Sequence, residues 1–125
     1  MGKWVNTSVL DAALAHISSN TDRITVCDTQ PTDFTEATDT KMLAIKTGLT
    51  GTDFEDIVAG SGGDGRALEV KEQAQIPITN SGDADHVALC SETDLLYVTT
   101  ADTQNLTGGN TVTIPSWTIT IRNPT

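Results

Sequence analysis

The run that most constrains the fold lies near the C-terminus and reads TVTIPSWTITIRNP. Apolar and polar side chains alternate along it, as they do in a strand with one buried face. Val112 and Ile114 hold even positions, whereas the apolar residues from Trp117 onward hold odd positions. A straight strand cannot bury both sets, because a shift of one residue turns every side chain to the opposite face. The run therefore predicts a strand with a bulge or kink at Pro115–Ser116, where proline is tolerated.

Similar short apolar runs, separated by polar stretches, recur along most of the chain; they read RITVC, KMLAIKTGL and RALEVKEQAQIPIT. The stretch HVALCSETDLLYVTT predicts an antiparallel hairpin, because only SETD separates its two apolar halves. Polar turns are predicted before it, in SGDADH, and after it, in ADTQNLTGGN. These features predict a mainly β fold, either an antiparallel β-sandwich or a jelly-roll-like barrel, in one domain spanning residues 1–125.

One segment near the N-terminus has the periodicity of a helix instead. Its spacing predicts an amphipathic helix at about residues 7–18, with Ser8 and Asp11 forming a capping box. Small polar residues predict that the helix ends between Ser18 and Asn20. The predicted apolar stripe consists of Leu10, Ala13, Leu14 and Ile17.

Residues 1–6 precede this helix and are expected to form an N-terminal arm. The arm contains Trp4, and a tryptophan is costly to leave in water. We therefore expect Trp4 to dock either on the protein's own core or on a neighbouring molecule. Trp4 and Val5 are candidate partner contacts for this reason.

The charge of the chain limits its partners. The formal net charge is −10, so DNA, RNA and anionic membranes are expected to be poor partners. No apolar run is long enough to span a bilayer and the start has no apolar signal-peptide core, which together predict folding in a cytoplasm. Cys27 and Cys90 lie in strand-like runs and are expected to be buried reduced thiols, with a disulfide as the alternative.

The stretch GSGGDG places Gly60, Gly62 and Gly65 in the order G-x-G-x-x-G of a dinucleotide-binding loop. Such a loop needs a helix opening on its last glycine, but a strand-like run follows here. Nearby carboxylates would also repel a phosphate. We therefore interpret the stretch as a flexible surface loop between strands, in which Gly62 and Gly63 are candidate contacts to a neighbouring protein.

Candidate catalytic groups are sparse. Asp83, Asp85 and His86 cluster in one stretch, but the spacing of a calcium-binding loop fails beyond them. No nucleophile signature accompanies either histidine, and no metal or cofactor site is predicted. A glycosidase-type pair of carboxylates stays open on sequence alone. The sequence predicts a protein that is not an enzyme; a small hydrolase would lose activity on changing these three residues.

Three long segments resemble a family of small virion proteins of tailed bacteriophages, the capsid decoration or cement proteins. They read VLDAALAHISSNTDRITVCDTQPTDFTEA, HVALCSETDLLYVTT and LTGGNTVTIPSWTITIRNP, and the similarity is weakest over residues 50–80. The resemblance rests on overall pattern, so no binding residue is transferred from the family.

The resemblance implies a structural protein on the outer surface of the capsid, made in the cytoplasm of a host bacterium. It further implies binding to the major capsid protein, bridging of capsid subunits and stabilisation of the head. A homo-oligomer, dimer or trimer, on the capsid symmetry axes is also expected. The alternative is a tail-associated or fibre-associated virion module that binds a host ligand or a partner protein.

Overall fold

The computed structural model describes residues 2–125, which form one α-helix and nine β-strands. Every paired strand is antiparallel to its neighbour, so the predicted mainly β fold with one N-terminal helix is confirmed. The elements are α1 Thr7–Asn20, β1 Arg23–Cys27, β2 Met42–Thr47, β3 Val58–Ala59, β4 Arg66–Val70, β5 Gln73–Pro77, β6 Gly82–Cys90, β7 Leu95–Leu106, β8 Thr111–Ile114 and β9 Trp117–Ile121.

The strands form three sheets that share one core. A four-stranded sheet has the order β2-β1-β6-β7, a three-stranded sheet has the order β3-β4-β9, and β5 pairs with β8. Apolar side chains from all three sheets and from the helix form one buried cluster, which gives a sandwich-like arrangement. Fully or almost fully buried members include Leu14, Ile24, Val26, Leu68, Val70, Ile76, Val87, Leu89, Ile114 and Ile119.

The C-terminal run forms two strands in two different sheets. β8 pairs with β5, whereas β9 pairs with β4. The prediction of a single strand with a kink at Pro115–Ser116 is therefore corrected. Proline cannot donate to a ladder, so the chain leaves one sheet there and enters the next. The predicted switch from even to odd buried positions is confirmed, because Ile114 and Ile119 are both buried.

The predicted helix begins at Thr7 and ends at Asn20, within the range of Ser18 to Asn20 predicted for its end. It differs from its prediction in two details. Ala13 is exposed, so the buried stripe is narrower than predicted and centres on Leu10 and Leu14. The helix is capped by Asn6 and not by Ser8: the Asn6 side-chain oxygen accepts the Ser8 backbone N–H at 2.8 Å. That geometry is typical of a cap one residue before the first helical turn.

The predicted hairpin is present, but its strands are longer than the apolar runs that revealed it. Asp83, Asp85 and His86 lie within β6 and not in a turn before it, and residues 101–106 belong to β7. Gly82 pairs with Leu106, and Asp83 pairs with Asn105. Backbone pairing continues through polar residues when their side chains can face water. The two turns predicted from polar residues before and after the hairpin were therefore placed too close to its centre.

The two cap assignments make different predictions for helix stability. Asn6→Ala removes the side-chain acceptor and should lower the free energy of unfolding by about 1 kcal/mol. Ser8→Ala removes no cap hydrogen bond and should change it by less than about 0.5 kcal/mol. Urea denaturation followed by far-UV circular dichroism measures both. A larger loss in Ser8→Ala than in Asn6→Ala would contradict the observed cap.

Candidate partner-binding surfaces

The N-terminal arm presents an unburied tryptophan. Residues 2–6 belong to no helix or strand, and Met1 of the predicted arm lies outside the described residues. The Trp4 side chain is 81% exposed, whereas Val5 is half-buried. The structure therefore excludes docking of Trp4 on the protein's own core. An exposed indole at the end of a helix-anchored segment can bury a large apolar area against another protein.

The glycine loop is a closed turn held by its own backbone. The Gly60 N–H donates to the Gly65 carbonyl at 3.0 Å, and the Gly63 N–H donates to the Gly60 carbonyl at 2.8 Å. The Asp64 side chain accepts the Asn123 backbone N–H at 3.1 Å. The expected surface loop is therefore a turn of defined shape, closed by backbone hydrogen bonds. The strand predicted after it is present as β4, so no helix N-terminus is available for a pyrophosphate.

The glycines of this loop have two different roles. Gly60 and Gly65 are buried, and a Cβ added at either would lie 1.9 Å from a backbone oxygen. Gly62 and Gly63 are exposed, and a Cβ there would meet no atom within 4 Å. The outer pair therefore fixes the shape of the turn, and the inner pair forms its free tip. The tip residues are the two that the sequence proposed as partner contacts.

An ion pair fixes the helix against the strand that follows this loop. Arg66 Nε donates to Asp11 Oδ1 at 2.7 Å, and the guanidinium also reaches the Ile57 carbonyl at 3.4 Å. Asp11, predicted to complete a capping box, instead binds a residue 55 positions away. Sequence reasoning missed this pair, because nothing local signals a contact over that separation. Among residues 2–125, no hydrogen bond or ion pair joins the arm to the glycine loop.

Cys27, His86 and Asp85 form the arrangement nearest to a catalytic triad. Cys27 pairs with His86 across β1 and β6, and His86 Nδ1 lies 2.6 Å from Asp85 Oδ1. The thiol is fully buried and contacts the Ala37 carbonyl at 3.7 Å. Burial raises the pKa of the Cys27 thiol, and Asp28 and Asp85 add to that effect. A buried thiol with a raised pKa is a poor nucleophile.

Other polar side chains in this part of the hairpin bind one another. The Asn105 amide donates to Asp83 Oδ1 at 2.9 Å, across the β6–β7 ladder.

His16, the second histidine, is exposed on the helix and lies 3.4 Å from the Asn20 amide. Within residues 2–125, no group of three or more His, Cys, Asp or Glu side chains is arranged to hold a metal ion.

Both cysteines are free and buried, as predicted. The register of β1 on β6 places Cys27 opposite His86 and Cys90 opposite Arg23. The two cysteines are thus four positions apart along the ladder, about 13 Å, whereas a disulfide needs Cα atoms within about 7 Å. This geometry rules out the alternative disulfide. Burial raises the pKa of Cys90 to about 11, and the charge of an ionised Cys27 adds to that effect.

No protein-family model matches the chain, and neither the curated proteins nor the solved structures searched contain a match. Among the described residues, no helix is both long enough and apolar enough to cross a bilayer.

The two kinds of loop glycine should respond differently to alanine. Gly65→Ala should lower the free energy of unfolding by about 3 kcal/mol or prevent folding, because its Cβ would clash with the Ile121 carbonyl. Gly63→Ala should cost about 1 kcal/mol, since only its positive φ of 81° is strained. Urea denaturation measures both, and equal losses would contradict the distinction.

Alkaline pH should destabilise the protein through Cys90. The Cys90 thiol has a pKa near 9.0 in the unfolded chain but about 11 in the folded one, so unfolding releases a proton between these values. The free energy of unfolding should therefore be unaffected by this group below pH 9 and fall by about 2 kcal/mol from pH 9 to 11. The measurement is urea denaturation across this range. Cys90→Ala should flatten the decline, and an unchanged slope would contradict the assignment.

Proposed function

We propose that this chain is a non-enzymatic virion structural protein that binds the outer surface of a tailed-phage capsid. It bridges major capsid protein subunits there and stabilises the head. The observation that carries the proposal is Trp4, 81% exposed on an arm attached to a helix that is itself fixed to the sheets. The whole-chain resemblance to decoration proteins supports the same function.

The arm suits a binding role for a physical reason. Tryptophan is among the residues that most often dominate the energy of a protein interface, because one side chain buries a large area. Trp4 lies two residues before the cap residue Asn6, so the helix restricts where the indole can go. Restricting the arm before binding lowers the entropy lost on binding.

Stabilisation of the head follows from preferential binding. A protein that binds the assembled shell more tightly than separate subunits shifts the equilibrium toward the shell. Copies that also contact one another, as a dimer or trimer on a symmetry axis, gain avidity from weak single contacts. We therefore propose a homo-oligomer on the virion surface, assembled from chains made in the host cytoplasm.

The first test adds purified protein to undecorated heads built from the cognate major capsid protein. Heads with bound protein should resist heating better than bare heads, as measured by scanning calorimetry. Trp4→Ala should weaken binding at least tenfold, because it removes most of the apolar area of the arm. Trp4→Phe keeps an aromatic ring and should retain a larger share of the affinity.

Failure of the wild-type protein to bind heads would overturn the proposal. Immunogold labelling of virions separates the two virion locations, because a tail or fibre module would place the label on the tail. Equal binding by Trp4→Ala and wild type would remove the arm from the contact surface.

The tip of the glycine loop is the second proposed contact. Replacing Gly62 and Gly63 together with Ala should leave the fold intact, at a cost of about 2 kcal/mol from two positive φ angles. A loss of head binding at a temperature where the variant is fully folded would support the contact. Gly51→Ala is the matched control: it also meets open space, at a separate turn. Wild-type affinity in the tip variant would exclude the tip.

A further inference from the structure

Strand β7 leaves one side of its backbone without a strand partner. The order β2-β1-β6-β7 places this 12-residue strand at the outside of the four-stranded sheet, and β6 is its one strand partner in the part of the chain that the structure describes. Residues 100–105 are also exposed. An edge strand of this length offers a row of backbone N–H and C=O groups to another strand. Lysine and proline commonly protect such edges, and β7 contains neither.

The ladder between β6 and β7 is interrupted in the exposed part of this strand. Ala84 pairs with Gln104, whereas His86 pairs with Thr100. Three residues of β7, 101–103, therefore lie opposite Asp85 alone. Extra residues of this kind make a strand bow away from its partner.

A small pocket lies where β7 bows, between the hairpin and β8. Its volume is about 90 Å³, which suits one aliphatic side chain. Asp85 and Asp102 line it together with a largely apolar wall. The apolar wall includes Val26, Val87, Ala101, Leu106, Val112 and Ile114.

The charged side chains of the hairpin that contains this edge are all carboxylates. No lysine or arginine occurs from Glu72 to Ile121, whereas the hairpin segment 82–106 contains five carboxylates. His86 pairs with one of them, Asp85, at 2.6 Å. Asp102 has no ion-pair partner among the described residues. This surface attracts a positively charged segment and repels a second copy of the same hairpin.

We propose that the β7 edge binds an extended basic segment of another protein by strand addition. The backbone of β7 supplies the hydrogen bonds, the pocket takes one aliphatic side chain, and Asp85 and Asp102 pair with lysine or arginine beside it. Strand addition commonly combines backbone bonds for affinity with side-chain pockets for specificity. The binding chemistry follows from the fold alone; identification of the partner as the major capsid protein rests on the proposed function.

The test uses a synthetic basic peptide of sequence KTKVTVKTK as the probe. Titration into the labelled protein should shift the amide NMR signals of β7 and of the pocket, and should slow hydrogen exchange along β7. Two control peptides replace every Lys with Glu, or both Val with Ser. Each control should bind at least tenfold more weakly than the probe, because one loses the charge and the other the apolar anchor.

Two variants locate the contact on the protein. Asp102→Lys should weaken probe binding at least tenfold, whereas Asp56→Lys makes the same charge change at an exposed site away from β7 and should have little effect. Val112→Phe should fill the pocket and weaken binding of the probe while leaving the Ser-substituted peptide unaffected. Thermal melts establish that each variant is folded at the temperature of the titration.

The inference would be overturned by signals of β7 that do not shift, by equal binding of the acidic and basic peptides, or by equal effects of Asp102→Lys and Asp56→Lys. Self-association through β7, detected by sedimentation and abolished by the edge variants, would also overturn it in favour of a second copy. Head binding is scored separately. Probe binding at β7 without binding to heads would support the inference and overturn the proposed function. Head binding without probe binding would overturn the inference and support the proposed function.

Discussion

The structure depends on burial of β1 on both faces. Ile24 and Val26 point into the core that the three sheets share, while Thr25 and Cys27 are buried on the opposite face. That second face is closed by the segment between β1 and β2, whose Ala37 carbonyl contacts the Cys27 thiol. Since β1 also pairs with β2 and β6, it is fixed in every direction. The sheet, the thiol environments and the position of the hairpin all follow from this strand.

Three surfaces lie apart from the core that β1 organises. The arm with Trp4, the tip formed by Gly62 and Gly63, and residues 100–105 of the β7 edge all lie outside the core cluster. Each offers a different chemistry: an exposed indole, a bonded turn with open space around it, and an unpaired backbone edge with uncompensated negative charge. A small protein that contacts several neighbours at once benefits from such separate surfaces, because weak contacts combine when they are held on one body.

Local patterns predicted the elements well and their ends less well. Helical spacing identified α1, and alternation identified the hairpin and the change of parity before Trp117. Two errors have separate causes. Side-chain polarity predicts a turn at Asp83 and Asp85, but backbone pairing continues through both residues in β6. Asn6 and not Ser8 caps the helix, and the sequence does not distinguish them because both residue types suit that role. For the candidate surfaces, sequence identified Trp4 and the loop tip but missed the β7 edge, whose exposure depends on sheet order.

The sequence by itself determined that one segment is helical and that most of the apolar runs form strands, that Pro115 interrupts the last run, and that the chain is strongly acidic. These properties arise from residues close together along the chain, so local periodicity and composition suffice to show them. Only the tertiary structure decided that β8 and β9 join different sheets, that Asp11 binds Arg66, and that β7 is an edge. Each of these depends on contacts between residues far apart in sequence, and those contacts are selected by packing of the whole core.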